Sequence, residues 1–295
     1  MLPLGKCRRS QRKSLHEAEV LRFMNLENAL ETLATDPSAP LDIAELALAV
    51  ARDEYPTLDV ESELADLSAM AREVKPRLRG GLSAQVEALC RYLFHEQGFV
   101  GNARDYHDPR NSYLNEVLER RTGLPITLSV ITAAVATRAG LNVVGVGLPG
   151  HFIVKAVGRG EEILFDPFHS GRTLSLDQCT ALMAGYGTPL QATPDALAAV
   201  PVGHIVARML RNLEGVYLQR RDFPRAARII ARLCQLAPDD LSKRRDLGSA
   251  LLQAGKPGQA ITHLSAYLGA APPPVDTSAI RELLDEAKGA VARWN

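Results

Sequence analysis

The stretch GLPITLSVITAAVATRAGL, residues 123–141, decides how the middle of this chain folds. It predicts a helix that begins at Pro125, because proline at the first helical position has its φ preset and lacks an N–H that would have no partner there. Ile126, Val130 and the small residues after them fall on one face of that helix, so we expect it to press closely against a neighbouring layer. Gly140 is the natural end of the helix.

After that glycine the apolar pattern changes to the period of β-strands. The segments NVVGVG, HFIVKAV and EILFDPF occupy residues 142–147, 151–157 and 162–168. They are short, rich in β-branched or aromatic residues, and separated by the turn sequences LPG and GRGE, so they predict an antiparallel meander. A helix followed by a meander indicates an α+β layer.

The remaining regions are helical. Residues 24–98 carry helical periodicity broken by proline and glycine, and predict a helical N-terminal region packed on an α+β core over 99–190. We expect residues 1–23 to form a disordered tail. Residues 200–295 predict α–α tetratricopeptide-like repeats with a terminal capping helix, because apolar, alanine and proline positions recur 34 residues apart. The recurring pairs are Leu213 and Leu247, Tyr217 and Leu251, Ala226 and Ala260, Ile230 and Leu264, Leu233 and Tyr267, and Pro238 and Pro272.

Composition excludes several function classes. The 295 residues contain 34 Lys and Arg against 34 Asp and Glu, so no overall field attracts nucleic acid or an anionic membrane surface. No apolar run is long enough for a secretory signal or a membrane span. Four scattered cysteines fit neither a disulfide framework nor a zinc knuckle, so we expect a cytoplasmic protein that binds neither nucleic acid nor membrane.

Two residues of the meander could cooperate chemically. If a two-residue turn at Gly158-Arg159 joins the second and third strands, paired positions sum to 317 and His151 lies directly opposite Asp166. Opposed residues share one face of the sheet, so the aspartate could orient the imidazole. A slip of one residue would separate them to opposite faces.

Three segments carry a resemblance to a known family. DPRNSYLNEVLERRTGLPITLS, GVGLPGHFIVK and LFDPFHSGRTLS, which start at residues 108, 145 and 164, occur in order and with suitable spacing. Together with the repeats they resemble the SirB-one family, which joins a transglutaminase-like core of the papain and transglutaminase type to tetratricopeptide repeats. The resemblance covers roughly residues 24–290.

The resemblance implies roles for three positions. The catalytic base of the wider superfamily falls on His151, the orienting acid on Asp166, and the cysteine nucleophile at the helix N-terminus on Pro125. Because proline cannot act as a nucleophile, we expect a protein that keeps the enzyme's shape without its activity and binds a protein or peptide segment through its repeats. The alternative is a hydrolase or acyltransferase in which His151 and Asp166 act with a hydroxyl of Thr127 or Ser129, or with an activated water.

Other polar residues are weaker candidates for a functional site. His151, Asp166 and His169 are of types that ligate metals, but an Asp-x-x-His spacing at a strand end is a weak signal, so we expect no metal and no other cofactor. Asp108 and its neighbours Asn111 and Ser112 cluster beside the expected groove, where they either cap turns or line a binding surface.

The repeats have their own candidate binding residues. Arg211 and Arg245 are 34 residues apart, near the starts of equivalent helices, and Arg208 lies just before the first of them. Their planar guanidinium groups suit a carboxylate or an acidic segment on a concave surface.

Overall fold

The computed structural model describes residues 25–187, 191–270 and 277–293, so the predicted tail over 1–23 and the repeat position Pro272 lie outside it. The α-helices of this part of the chain are α1 Leu26–Thr35, α2 Ile43–Arg52, α3 Val60–Val74, α4 Leu82–Cys90, α5 Leu114–Arg120, α6 Pro125–Ala139, α7 Leu176–Gly185, α8 Val202–Gln219, α9 Phe223–Leu236, α10 Leu241–Gln253, α11 Pro257–Ala270 and α12 Ser278–Ala292. The strands are β1 Val100–Gly101, β2 Thr122–Gly123, β3 Val143–Leu148, β4 His151–Val157, β5 Glu162–Asp166 and β6 Arg172–Leu174. Short 3₁₀ turns at Lys75–Arg77, Pro109–Asn111, Pro167–His169 and Asp195–Leu197 and a π-helix at Arg91–Glu96 complete the elements.

The N-terminal helices begin where the sequence places a cap. The side-chain oxygens of Asn25, Asp42 and Asp59 accept hydrogen bonds from the first free N–H groups of α1, α2 and α3. The apolar stripes of these helices then turn inward, and α3 packs against α6. The predicted helical lead-in is therefore a layer that covers the long central helix.

The central sheet is the predicted antiparallel meander, extended by one strand to the order β3-β4-β5-β6. The predicted register between β4 and β5 was wrong by two residues. Gly158 donates to the carbonyl of Glu161, which makes a four-residue loop, and Val157 pairs with Glu162, so paired positions sum to 319. A shift of two residues leaves every side chain on its predicted face, because the strand period is two.

The two faces of the sheet are covered by different helices. Phe152, Val154 and Ala156 belong to the large core that α6 dominates. Ile153 lies on the other face, in a smaller core with Cys179 and Met183 of α7. Strand β4 is buried on both sides as a result.

The C-terminal helices form the predicted repeats. Of the eleven described members of the pairs spaced by 34 residues, ten are buried and Pro238 is exposed, which fits two helical hairpins, α8–α9 and α10–α11, stacked on each other. Gly248 of α10 lets that helix approach α11, since a Cβ there would lie 2.7 Å from Leu264. Helix α12 packs on α11 as a cap.

The first repeat is attached to the core by a shared helix. Ile205 and Met209 of α8 lie in the core of the α6 layer, whereas Leu210 and Leu213 lie in a second core with the N-terminal helices. A buried hydrogen bond of 2.8 Å joins the hydroxyl of Tyr113 to that of Tyr217 on α8.

Ion pairs strengthen this attachment. Arg232 of α9 makes two hydrogen bonds to Asp53, at 2.7 and 3.0 Å, and Glu54 pairs with both Arg225 and Arg228. The repeats are therefore fixed to the N-terminal region along one side. Over the described ranges, no helix is long and apolar enough to cross a membrane.

Candidate functional site

His151 and Asp166 meet at one end of the sheet, where β4 begins and β5 ends. The Nε2 atom of His151 lies 2.9 Å from Oδ2 of Asp166, and neither side chain is exposed to solvent. They are diagonal rather than direct neighbours, since the β4–β5 pairing sets Val154 opposite Phe165. The long imidazole spans the extra distance, as diagonal neighbours on one face permit.

A third side chain shares the same carboxylate. His169 follows Asp166 by one 3₁₀ turn, and its Nδ1 lies 2.7 Å from Oδ2 of Asp166. The other carboxylate oxygen accepts a hydrogen bond of 3.0 Å from the N–H of Phe168. His169 is about half exposed, with 48% of its side chain accessible, so it connects the buried pair to the surface.

The electrostatics of the site keep the aspartate ionised. Burial alone tends to raise the pKa of Asp166, but the hydrogen bonds and charges of His151 and His169 outweigh it and hold the pKa below its ordinary value. An ionised carboxylate accepts hydrogen bonds, so the Nε2 of His151 is its donor. The Nδ1 atom of His151 then carries a lone pair, and it is buried without a hydrogen-bond partner among the described residues.

Aromatic side chains enclose the imidazole of His151. Tyr186, just beyond α7, stacks on it with ring centroids 5.9 Å apart and planes inclined by 17°. Phe168 meets it edge-on at 6.0 Å. Gly150 makes the stacking possible, because a Cβ at that position would lie 2.3 Å from Cγ of Tyr186.

The helix position that the resemblance assigns to a nucleophile lies at the same end of the layer. Pro125 is buried there and begins α6. By the alternation of β4, however, His151 lies on the face that α7 covers, together with Leu148, to which it is paired.

A short chain of contacts joins the helix N-terminus to the imidazole. Gly123 pairs with Gly101, which approaches Phe168 so closely that a Cβ would lie 2.6 Å from the ring. Phe168 contacts His151 in turn. Phe168 is thus in contact with both β1 and the imidazole.

The candidate hydroxyl nucleophiles have other roles in the fold. Thr127 accepts the N–H of Leu124 at 2.9 Å and donates to the carbonyl of Asn111 at 2.9 Å, so it fixes the start of α6. Ser129 is buried, and its hydroxyl has no hydrogen-bond partner among the described residues.

The described thiols are poorly suited to attack. Burial raises the pKa of Cys90 to about 12 and that of Cys234 to about 11. Burial and then the charge of Asp166 raise the pKa of Cys179. Because the thiolate is the nucleophilic form, all three thiols are inert at neutral pH.

The polar cluster near residue 108 is largely buried, although Asp108 lines an open groove of about 430 Å³ together with Pro109 and Arg110. Asp108 is 4% exposed; it caps the 3₁₀ turn that follows and pairs with Arg110 at 2.7 Å. Asn111 is fully buried, with its amide bonded to the carbonyl of Asp105 at 2.7 Å. Ser112 is 1% exposed, and its hydroxyl has no partner among the described residues.

The predicted arginines of the repeats have three different environments. Arg208 is not on a free surface: it donates to the carbonyls of Leu148 and His151, at 2.9 and 2.8 Å. Arg245 is bonded to the neighbouring Asp246 at 2.8 Å. Arg211 is exposed and lines a cleft of about 200 Å³ between α1, α8, α9 and α10.

Sequence reasoning missed two of these contributions. The stacking of Tyr186 had no signal except the glycine at 150, which needs a positive φ of 74° and open space. The hydrogen bonds of Arg208 to strand carbonyls had no signal in the sequence, because backbone acceptors leave no pattern there.

Comparison with known proteins agrees with this architecture. The family described as the transglutaminase-like superfamily matches residues 61–211, and the tetratricopeptide repeat matches residues 213–285. The fold and the site thus define a transglutaminase-like protein with C-terminal tetratricopeptide repeats. No solved structure matches the chain significantly.

Similar curated proteins show to which family within this superfamily the chain belongs. A UPF0162 protein of Xylella fastidiosa is 37% identical over 247 residues, covering 80% of this chain and 86% of that protein. The chain belongs to this UPF0162 family. A UPF0162 protein of Vibrio cholerae is 28% identical over 212 residues, covering 70% of this chain and 78% of its own. The F-box only protein 21 of Mus musculus is 29% identical over 163 residues, covering 52% of this chain and 25% of its own length.

Proposed function

We propose that this chain is a non-catalytic, cytoplasmic protein of the SirB-one type, which binds a segment of another protein through its repeats. The observation that carries the proposal is the proline at position 125, where the superfamily's nucleophile is expected. A helix N-terminus activates a thiol by lowering its pKa, and a proline ring offers no atom to activate.

The surroundings of His151 support the same conclusion. Within the described ranges, no hydroxyl or thiol is hydrogen-bonded to its free Nδ1 atom. Tyr186 and Phe168 cover the ring, so a substrate would have to displace an aromatic side chain to reach it. The pair with Asp166 acts here to hold the ends of β4 and β5 together.

The repeats offer a more accessible surface. The cleft beside Arg211 also contains Lys243 and His204, and its apolar walls come from Leu33 and Leu233. Asp240 also lines the cleft, so Arg211 and Lys243 are the cationic groups that, beside these apolar walls, suit a peptide with a carboxylate next to an apolar side chain. Within the described residues, Arg211 has no ion-pair partner, whereas Lys243 is bonded to Glu214 at 2.6 Å. As far as the described part of the chain shows, the guanidinium of Arg211 is available to a ligand.

A crosslinking experiment tests the proposal. A photoreactive amino acid at position 211 should capture a specific protein from cells, and the same group at position 281, on the exposed side of α12, should not. The isolated partner should bind the double variant, which carries both Arg211→Ala and Arg245→Ala, at least about tenfold more weakly than the native chain. This is the effect expected when a central charged contact is removed. His151→Ala should bind it equally well. Binding that survives the double substitution but disappears with His151→Ala would refute the proposal.

The second candidate function is a hydrolase or acyltransferase that uses His151 and Asp166 with a hydroxyl or a water. The unpartnered Nδ1 of His151 favours it, because a buried base oriented by a carboxylate is the arrangement that general-base catalysis needs. Hydrolysis of activated esters by the native chain that disappears in His151→Ala would support this candidate.

A further inference from the structure

Three metal-ligating side chains converge beside the dyad. The Nε2 of His151, Oδ2 of Asp166 and Nδ1 of His169 all lie within 4.8 Å of one another. Both imidazole nitrogens are hydrogen-bonded to the same carboxylate oxygen, at 2.9 and 2.7 Å. A metal ion replaces the protons in these hydrogen bonds, so each ring must then carry its proton on its other nitrogen, Nδ1 in His151 and Nε2 in His169. Two imidazoles and one carboxylate form a common donor set for divalent transition metals.

The local backbone explains why these atoms meet. Residues at i and i+3 of a 3₁₀ helix eclipse each other, and Pro167–His169 is such a turn, so Asp166 and His169 lie on one side of it. The turn is closed by the N–H of Gly171, which donates to the carbonyl of Asp166 at 2.8 Å. The N–H of Phe168 holds Oδ1, which leaves Oδ2 directed at the histidines.

Charge and access are also suitable for a cation. The cluster contributes one carboxylate and two imidazole nitrogens, so its one acidic group favours a cation. His151 and Asp166 are sealed from solvent, whereas His169 borders an open groove of about 520 Å³ together with His95, Arg172 and the backbone of Gly171. His169 is thus the member of the cluster that meets the groove, and an ion would reach the two buried side chains past it.

We infer that His151 Nε2, Asp166 Oδ2 and His169 Nδ1 form a binding site for one divalent transition metal ion of the zinc type, with solvent as the remaining ligand. Bond lengths of about 2.0–2.2 Å to such an ion require ligand atoms about 3.3 Å apart in a tetrahedral site. The present hydrogen-bond distances of 2.9 and 2.7 Å need only small side-chain rotations to reach that spacing.

This inference goes beyond the proposed function and is independent of what the repeats bind. It replaces the expectation from sequence, where the Asp-x-x-His spacing alone was a weak signal. Such an ion would be held by three protein ligands at the place where the ends of β4 and β5 meet.

The test measures Zn²⁺ binding to the full chain by isothermal titration calorimetry near neutral pH, with metal content checked by mass spectrometry. The native protein should bind one equivalent, and the affinity should fall on acidification because protons compete for the imidazoles. His169→Ala should lose at least about 100-fold in affinity, the upper end of the effect of removing an outer-sphere partner. Its half-exposed side chain makes this variant compatible with folding.

His95→Ala is the matched control. His95 is an exposed histidine of the same groove but lies outside the cluster, so its removal should leave affinity unchanged. The inference is overturned if His169→Ala binds zinc as tightly as the native chain, if His95→Ala weakens binding equally, or if the native chain shows no one-to-one binding. Circular dichroism of each variant excludes loss of fold as the cause.

Discussion

The ring of Tyr186 lies almost parallel to that of His151, with centroids 5.9 Å apart, in space that a side chain at position 150 would otherwise occupy. Gly150→Ala should therefore destabilise the protein by about 2 kcal/mol, within the range of substitutions that combine a clash with backbone strain. The backbone there has φ +74°, and the added Cβ would lie 2.3 Å from Cγ of Tyr186. Urea denaturation gives the change in the free energy of unfolding.

Gly160→Ala is the control for that measurement. Gly160 has φ +82° but no atom within 4 Å of a Cβ, so its substitution carries the backbone strain alone, about 1 kcal/mol. Equal decreases in the free energy of unfolding for the substitutions at positions 150 and 160 would show that the clash with Tyr186 adds nothing to the backbone strain. In a Tyr186→Gly background, which also removes the Cβ of Tyr186 that would lie 2.5 Å away, the stability lost at Gly150 should fall to that lost at Gly160.

Acidification should weaken the fold partly through Asp166. Its pKa is lower in the folded chain than in the unfolded one, so the stability it contributes is present above the unfolded pKa of about 3.9 and is lost as the pH falls through the folded value. Asp166→Asn should be less stable than the native chain at neutral pH, by about 2–3 kcal/mol, because a charged acceptor of two imidazoles is lost. The difference should shrink below about pH 4. A constant difference from neutral pH to about pH 3 would contradict this assignment.

The hydroxyl pair of Tyr113 and Tyr217 should show coupling in a double-mutant cycle. Either Tyr→Phe substitution leaves the other buried hydroxyl without a partner, which costs about 1–3 kcal/mol, whereas the double substitution removes both polar groups. The double variant should therefore be more stable than the sum of the single effects predicts, by about 1 kcal/mol. Additive losses in chemical denaturation would mean that the hydroxyls do not interact in solution.

The ion pair between Arg232 and Asp53 should matter more than an exposed pair. Its side chains are 18% and 20% exposed and share two hydrogen bonds, so Asp53→Asn should cost about 1–2 kcal/mol. Glu87→Gln is the control, because Glu87 and Arg91 are 70% and 65% exposed and the pair should contribute under about 0.5 kcal/mol. Thermal denaturation at low and high salt measures both losses of stability. Similar decreases in melting temperature for the two variants would argue that Arg232 does not help to attach the repeats to the N-terminal region.

The parts of the fold that depend on periodicity could be predicted from the sequence. Strand alternation placed His151 and Asp166 on one face even though the loop at Gly158 has four residues rather than a two-residue turn. The error in register did not change the predicted faces, because a shift by an even number of residues leaves each side chain on the same face of the sheet. The 34-residue recurrence predicted which residues of the repeats are buried, since each repeat uses the same positions to contact its neighbour.

Features that depend on individual side-chain directions could not be predicted. Asp108 and Asn111 have residue types common to loops and binding sites, and only three-dimensional packing shows that they are buried. The convergence of His169 on Asp166 depends on a 3₁₀ turn instead of a continued strand, and Asp-Pro at a strand end allows either conformation. Arg208 acts on carbonyl groups, which every residue possesses.

Helix α8 belongs to two cores at once, and this has a consequence for how the protein can be divided. A fragment that stops before Val202 would lose Ile205 and Met209 from the α6 layer, and also the guanidinium that holds the carbonyls at the start of β4. A fragment that begins there would expose the apolar sides of Val206 and Leu210. Neither half is a natural unit for expression or genetic shuffling, because α8 completes both of the cores that such a cut would separate.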